Sequence, residues 1–412
     1  MNLSTYKYYC RLISITIEEI NMLTHNGLVQ DVKGRISKIQ DMMKSEDFAA
    51  LVIIGGGAPG GMGAIRYITN AHLWGGAGYA VLGQDDPDPY MLVWSSYQGV
   101  WTRNETTTRK ERVESPPDLM ERVQELVTGY AGDSGKRIGV VNMKKLLPLG
   151  AYESLQQVLG NHELVDATDQ YNTIRQIKSP FELEAVQQNG YILDACMDVF
   201  ADRAHVGARY WDVCAATEEY VKAKGAFWGR TKLSLDLTPF TVPTPKDLTM
   251  SEDDIINFEI VYESPWGYWL EMTTVFSFID LPDEVQLQLD AYLAAVDASS
   301  AVACTGNTYA DISDANDKAI AEVMKAGGSS LKVDGKHTPD CHSTGLDGSD
   351  GPSSASDPDF VLKSNMILSY HPGTVLENNR GFLISDNFMV TDHGAVRLSP
   401  HNASRYYMRL SS

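Results

Sequence analysis

Two glutamates in apolar strand-like segments are the first candidates for chemistry in this 412-residue chain. Glu271 lies in GYWLEMTTVFSFI, where alternation along a strand places it on one face with Thr273 and Val275. Glu259 lies in the preceding segment, INFEIVYES. A carboxylate buried among apolar side chains is costly unless it meets a metal, a cation or hydrogen-bond donors. Two such glutamates facing one another on partner strands predict a metal site or a shared proton.

Two histidines beside glycines follow later in the chain. His342 lies in CHSTGLD and His371 in MILSYHPGTVL. Imidazoles in such turns or strand ends serve as metal ligands or as acid/base groups, although each one alone also fits an ordinary structural histidine. The segment GFLISDNFMVT adds Ser385 and Asp386, which alternate along a strand, so that only one of them faces a common site unless a bulge intervenes.

Aromatic residues and an arginine near Glu271 predict the walls of a substrate pocket. Trp266, Tyr268 and Trp269 precede Glu271 closely and favour a compact pocket for a cationic or flat small molecule. Arg230 lies upstream and is suited to a substrate carboxylate. Core packing of the aromatic rings and a surface position for the arginine are the alternative interpretations.

The first third of the chain alternates between helix-like and strand-like segments, which predicts a sheet with covering helices. The predicted helices are 32–45 and 118–130, and the predicted strands are 49–54, 65–69, 79–82, 90–95 and 137–141. The glycine-rich segment IIGGGAPGGMGA lacks both the P-loop ending and the GxGxxG spacing. It predicts a loop near a pocket rather than a phosphate site.

A second domain is predicted to start near residue 175. Ser179, Pro180 and Glu182 form a helix start with a capping box. Four residues then recur at positions 99 higher, which predicts two α-α-β halves with a site drawn from the strands of both. The matched positions are Tyr210, Asp212, Val213 and Ala216 with Tyr309, Asp311, Ile312 and Ala315. We therefore expect domains at 1–174 and 175–412.

Composition excludes several classes of protein. The 34 basic and 54 acidic residues give a net charge of −20, which disfavours a broad nucleic-acid surface. Five scattered cysteines without a CxxC pair predict reduced thiols. Because no stretch approaches the roughly 18 apolar residues of a membrane span, and the N-terminus does not read as a secretory signal, we expect a cytoplasmic protein without membrane contact.

These segments resemble the creatinase, prolidase and methionine aminopeptidase family. The resemblance rests on IRQIKSPFELEAVQQNGYILDA, GYWLEMTTVF, CHSTGLD, MILSYHPGTVL and VTDHGAVRLS. It implies a smaller α/β N-terminal domain followed by a catalytic α+β domain with the duplicated pita-bread fold. It also implies a homodimer in which the N-terminal domain of one subunit covers the site of the other.

The departures from the family pattern concern the metal ligands. Metal-dependent members carry two aspartates on the first hairpin, a histidine in HxxG, a glutamate in Glu-Pro-Gly and a final glutamate. The second aspartate is matched by Glu271 and the HxxG histidine by His342. His371 replaces the Glu-Pro-Gly glutamate, Ser385 replaces the final glutamate, and Glu259 lies one residue out of register with the first aspartate.

Two further family histidines are missing. Ser349 stands where a histidine follows HxxG, and the segment DLTPFTVPTPKD before the first hairpin contains none. What remains is a two-histidine, one-carboxylate set of Glu271, His342 and His371, suited to one Zn²⁺, Mn²⁺ or Fe²⁺. The rival interpretation is a metal-free site similar to that of creatinase, in which carboxylates such as Glu259 bind the substrate and a histidine acts as the base.

The losses make peptidase action less expected, because those reactions use a hydroxide held between two metals. We therefore expect a hydrolase that cleaves a C–N bond, amide or amidino, of a small molecule. Three alternatives stay open: a lyase acting on a small betaine-like substrate, an Xaa-Pro peptidase-like metallohydrolase, and a non-catalytic binding module.

Overall fold

The computed structural model describes the whole chain except residues 1–22, 58–59, 236, 238–241, 244–247, 329–332, 337–339, 377–379, 400–402 and 412. The N-terminal segment, which we do not expect to be a secretory signal, lies outside the described residues, as does most of DLTPFTVPTPKD. Within the described part of the chain, no helix has the length and apolar character needed to cross a bilayer.

A six-stranded mixed sheet forms the N-terminal part of the molecule. Its strands are β1 (Phe48–Gly56), β2 (Ala77–Gly83), β3 (Tyr90–Val93), β4 (Val113–Glu114), β5 (Arg137–Val141) and β6 (Glu163–Asp166), in the order β4-β3-β2-β1-β5-β6. Side chains of β1 alternate between two hydrophobic clusters, because helices cover both faces. Those helices are α1 (His25–Ser45), α2 (Gly63–Thr69), α3 (Ser96–Glu105), α4 (Leu119–Ala131), α5 (Leu149–Leu159) and α6 (Thr168–Arg175).

The prediction of a strand at 65–69 is wrong, because this segment is the body of helix α2. Every residue of α2 is buried, so the segment carries no exposed polar stripe. A short run that is buried on all sides shows neither the helical nor the strand period, and periodicity alone does not distinguish the two. The predicted helix at 32–45 does form, but it begins at His25, where the Thr24 hydroxyl accepts a hydrogen bond from Gly27 N at 3.0 Å.

The predicted capping box at Ser179 is confirmed. The Ser179 hydroxyl accepts from Glu182 N at 3.2 Å, and Ser179 N donates to the Glu182 carboxylate at 2.9 Å. These two bonds satisfy donors at the start of a 24-residue helix, α7 (Pro180–Arg203). The helix covers the first half of the C-terminal part.

The C-terminal part contains the two predicted α-α-β halves. The first has α7, α8 (Tyr210–Ala223), β7 (Gly229–Leu235), β8 (Val242–Pro243), β9 (Ile255–Glu263) and β10 (Trp269–Ser277). The second has α9 (Asp283–Val302), α10 (Tyr309–Ala326), β11 (Val333–Lys336), β12 (Cys341–Ser343), β13 (Ile367–Tyr370), β14 (Thr374–Leu376), β15 (Asp386–Thr391) and β16 (Gly394–Arg397). The chain ends in α11 (Ala403–Tyr406) and β17 (Tyr407–Arg409). Tyr210 and Tyr309, which anchor the internal echo, are buried first residues of equivalent helices.

The two faces of the first-half sheet, ordered β17-β10-β9-β7-β8, differ in character. One face carries Leu270, Met272 and Phe276 with their β9 partners and packs in the same hydrophobic cluster as α7. The opposite face, called here the site face, carries the polar or charged residues Glu271 and Thr273 of β10, Glu259 of β9, and Arg230 and Lys232 of β7. The strand register alone thus places the charged groups on the side away from the covering helix.

Candidate active site

Strands β10 and β15 join the two halves of the C-terminal part side by side. Thr273 N donates to the carbonyl of Ser385 at 3.1 Å, and Trp269 N donates to the carbonyl of Gly345 at 2.7 Å. The Asn387 side chain of β15 donates to the carbonyl of Glu271 at 2.5 Å. Residues from both halves therefore meet at one seam, as the internal duplication predicts.

Glu271, His342 and His371 meet at this seam. Glu271 Oε1 lies 3.0 Å from Nε2 of His342 and 3.0 Å from Nε2 of His371, and the two Nε2 atoms are 3.0 Å apart. The imidazole rings stack with an interplanar angle of 23°. The three side chains retain 14%, 18% and 7% of their exposure, so the group, called here the triad, is largely enclosed but reachable from solvent.

The far nitrogen of each imidazole also has a partner. His342 Nδ1 lies 3.1 Å from the carbonyl of Ser343, and His371 Nδ1 lies 3.1 Å from Oγ of Ser385. A carbonyl only accepts, so Nδ1 of His342 carries a proton. In the neutral ring Nε2 then presents its lone pair to the triad, whereas in the protonated ring Nε2–H donates to Glu271.

The donor set and its spacing fit a divalent metal ion. Metal–ligand bonds of about 2.1 Å set neighbouring donors roughly 3.0 Å apart in octahedral geometry and about 3.4 Å apart in tetrahedral geometry. The three donor atoms of the triad form a triangle with 3.0 Å sides. Within the described residues, these three are the group of His, Cys, Asp and Glu side chains whose donor atoms converge closely enough for such an ion.

The triad perturbs the pKa values of its own members. Burial would raise the pKa of Glu271, but the charge of His371 and hydrogen bonds from both imidazoles outweigh it and hold that pKa well below its usual range. Burial would lower the pKa of His342, but the hydrogen bond to Glu271 and the charge of this carboxylate raise it. The carboxylate is therefore ionised over the physiological pH range.

Glu259 does not join the triad directly. In the strand register, Glu271 is paired with Val261, whereas Glu259 is paired with Thr273. The predicted direct pairing of the two glutamates is therefore corrected. The Glu259 carboxylate instead forms an ion pair with Lys232 and lies 3.4 Å from Oγ of Ser385. Its link to the triad runs through Ser385.

The site face also holds Arg230 and Trp269. Arg230 is exposed and shares its register row with Val261 and Glu271, so two strand spacings of about 5 Å each separate it from the triad carboxylate. Trp269 lies two residues before Glu271 on the same face of β10 and is buried. Both predicted substrate-binding residues are thus placed on the same side of the sheet as the triad.

Trp266 and Tyr268 are not brought to the triad, and their predicted substrate-binding role is corrected. The Tyr268 hydroxyl accepts from Arg35 of α1 at 2.9 Å and donates to Glu182 of α7 at 3.1 Å. Trp266 packs edge-on against Phe181, with ring centroids 5.4 Å apart. Both rings lie toward the covering helices rather than on the site face.

Sequence reasoning missed several residues around the triad. Lys232 lies two residues after Arg230 on β7 and pairs with Glu259, and the amide of Asn387 donates to a backbone carbonyl. Asp347 and Asp350 form buried ion pairs with Arg175 and Lys178 at 2.7 to 3.2 Å. Arg175 and Lys178, close together before α7, were the sequence signal for these ion pairs. Their acidic partners lie 172 residues further along the chain, so the pairing could not be recognised from the sequence.

Sequence comparisons identify the family. The family model "Metallopeptidase family M24" matches residues 184–392, and "Creatinase/Prolidase N-terminal domain" matches residues 35–177. An uncharacterized peptidase of Staphylococcus saprophyticus is 26% identical over 275 residues, covering 63% of this chain and 74% of that protein. An uncharacterized hydrolase/peptidase of Sinorhizobium fredii is 27% identical over 279 residues, covering 65% and 68%.

Solved structures share the fold. The prolidase from Pyrococcus horikoshii superposes with a TM-score of 0.73 at 19% identity, covering 90% of this chain and 99% of the prolidase. The X-Pro aminopeptidase from Thermotoga maritima gives a TM-score of 0.76 at 17% identity, with the same coverage. The predicted α/β N-terminal domain and duplicated pita-bread domain are thereby confirmed. With its M24 match spanning more than half of its length, the chain belongs to metallopeptidase family M24, a family of hydrolases.

Proposed function

We propose that the protein hydrolyses a C–N bond, amide or amidino, of a small molecule with one divalent metal ion held by Glu271, His342 and His371. The observation that carries the proposal is the triangle of three donor atoms, each 3.0 Å from the other two. Zn²⁺, Mn²⁺ and Fe²⁺ are the ions that two imidazoles and one carboxylate suit. The choice of a small molecule as substrate belongs to this proposal. The names of the relatives from Staphylococcus saprophyticus and Sinorhizobium fredii say peptidase or hydrolase and specify no substrate.

A cation bound to the triad would supply Lewis-acid chemistry to the substrate carbonyl or amidine. The other tasks fall to side chains of this chain. Glu271 contributes the negative charge, and the Asn387 amide holds its backbone carbonyl in place. In this proposal the exposed Arg230 binds a substrate carboxylate bidentately, and the buried Trp269 limits the entry of water beside Glu271.

The side chains around Glu259 favour one metal position over two. Ser385 and Lys232 stand on either side of Glu259, and neither a serine hydroxyl nor an ammonium group is a good ligand for a divalent ion. The Lys232 ammonium already provides the positive charge next to this carboxylate. This arrangement supports a mononuclear site.

The metal-free rival is favoured by one specific observation. The three triad groups lie within hydrogen-bond distance of one another, and Glu271 raises the pKa of His342. A histidine so placed can act as a base on a bound cationic or amide substrate. The two proposals differ in whether activity depends on a metal.

The test is metal analysis of untagged protein, combined with turnover of amide, amidino and betaine-like compounds. We expect about one Zn²⁺, Mn²⁺ or Fe²⁺ per chain, loss of activity with a chelator, and recovery on adding the metal back. Glu271→Ala and His342→Ala should lose both the metal and the activity, whereas the exposed His393→Ala serves as the matched control.

Each alternative predicts a different result of this test. Full activity without metal supports the metal-free hydrolase and contradicts the mononuclear proposal. An unsaturated product instead of a hydrolysed one indicates a lyase. Turnover of Xaa-Pro dipeptides alone indicates a peptidase, and binding without turnover in the presence of metal indicates a binding module.

A further inference from the structure

A chain of polar groups leads from the triad to the outer edge of the site face, and the proposed chemistry does not use it. His371 Nδ1 lies 3.1 Å from Oγ of Ser385, and this oxygen lies 3.4 Å from Oε1 of Glu259. The other carboxylate oxygen of Glu259 pairs with the Lys232 ammonium. The path therefore joins Ser385, which immediately precedes β15, to residues of β9 and β7, and none of these residues contributes an atom to the triad.

The donors and acceptors along this path have one consistent arrangement. An ionised carboxylate accepts hydrogen bonds only, so the Ser385 hydroxyl directs its proton toward Glu259. The lone pairs of this hydroxyl are then turned toward His371, and they require a proton on Nδ1. The ring consequently keeps its Nε2 lone pair for the triad, which is the form that binds a metal ion.

Burial makes the arrangement obligatory. Ser385 is fully buried and Glu259 is 1% exposed, so bulk water cannot replace a missing partner. Leaving a buried donor such as Nδ1–H unpaired costs more than the bond itself contributes. Lys232, at 21% side-chain exposure, places a positive charge beside the buried carboxylate of Glu259.

We infer that Ser385 and Glu259 are positioning residues that hold His371 in its metal-binding tautomer and orientation, with Lys232 holding the charge of Glu259. The inference rests on the proposed metal site, since His371 is one of its three ligands. It assigns Glu259 a supporting role in place of contact with the metal or the substrate.

The test measures metal affinity rather than activity. Wild type and Ser385→Ala are titrated with Co²⁺ or Zn²⁺ against a chromophoric chelator, and the visible absorption of the Co²⁺ form reports ligand geometry. We expect Ser385→Ala to bind about 10- to 100-fold more weakly with an altered Co²⁺ spectrum. Ser385→Thr, which keeps the hydroxyl, should restore most of the affinity.

Two further variants complete the experiment. Ser277→Ala removes an equally buried hydroxyl at the other end of β10 and should leave the affinity unchanged. Lys232→Met removes a partly exposed group, so it remains informative even where Ser385→Ala fails to fold, and it should also weaken binding.

The outcomes separate the two proposals. A wild type that binds no metal overturns the metal site and this inference with it. A wild type that binds one ion, together with Ser385→Ala or Lys232→Met variants of unchanged affinity and spectrum, overturns the positioning role and leaves the metal site standing.

Discussion

Arg230 is an exposed cation on the same face of the sheet as the triad, so it can bind an anionic group of a substrate. It lies on the site face, two strands from Glu271, with its guanidinium open to solvent. Such a group pairs with a substrate carboxylate in both the ground state and the transition state. Arg230→Gln should therefore raise KM for a carboxylate-bearing substrate about 10- to 100-fold and leave kcat nearly unchanged.

Steady-state kinetics on substrate pairs with and without the carboxylate check this expectation. Arg109→Gln changes the charge equally on the surface of the N-terminal part and is the matched control. A KM that moves equally for both substrates, or a loss confined to kcat, would show that Arg230 does not bind the carboxylate.

The residues of the site differ in how far sequence alone could identify them. Glu271 could be predicted because a carboxylate in an apolar strand demands a partner, and the two histidines because a glycine follows each of them within three residues. Ser385 and Lys232 could not be assigned, since a serine or lysine has no distinctive chemistry until its neighbours are known. Ser385 meets Glu259 from 126 residues away, across the seam of the two halves, and Lys232 meets Glu259 only through the pairing of β7 with β9.

At the scale of elements, strand alternation decides which aromatic residues reach the site. Trp269 shares its face with Glu271, whereas Tyr268, one residue earlier, points toward α1 and α7. Periodicity along β10 could therefore have separated the two. Closeness to Glu271 in the sequence predicts pocket residues less well than strand alternation does, because consecutive residues of a strand lie on opposite faces.

Tyr268→Phe tests the assignment of this residue to the helix side. The change deletes a hydroxyl between Arg35 and Glu182, both buried, so the free energy of unfolding should fall by about 1–3 kcal/mol. Because the ring does not face the triad, kcat/KM should stay within about twofold of wild type. Urea unfolding and kinetics are compared with Tyr97→Phe, at an exposed position. A raised KM with an unchanged free energy of unfolding would show that Tyr268 contacts the substrate.

Helix starts with capping signals were the elements best predicted from sequence. Ser179 and Glu182 form the expected box because its two hydrogen bonds are local to one turn. The segment of α2 was mistaken because its environment, not its own pattern, makes it a helix. All its residues are covered by the first sheet, α1 and the C-terminal part.

At the scale of the whole molecule, buried ion pairs fasten the two parts of the chain across the loop that follows His342. Asp347 accepts from Gly63 N at 2.9 Å and pairs with Arg175 at 2.7 Å. Asp350 pairs with Lys178 at 2.8 Å. The loop that follows a triad ligand is thus held by the helix start of α2 and by the connection between α6 and α7.

Asp350 makes the stability of this junction depend on pH. Burial would raise the pKa of its carboxyl, but the charges of Arg175 and Lys178 outweigh burial and lower it. A carboxyl whose pKa is lowered by folding stabilises the native state above its unfolded pKa of about 3.9, and this stabilisation is lost as pH falls through the lower folded value. Asp350→Asn removes the charge and leaves two buried cations undercompensated, which should cost about 3–5 kcal/mol at pH 7.

The difference in unfolding free energy between wild type and Asp350→Asn should therefore stay constant from pH 7 to about pH 5 and shrink on further acidification. Denaturant unfolding at a series of pH values measures it, with the exposed Asp359→Asn as a control that makes the same charge change. A difference in unfolding free energy that grows toward low pH would have the wrong sign for a carboxylate held ionised by two cations. A gap that does not vary with pH down to about 3 would show that the variant acts through lost packing, since packing does not titrate.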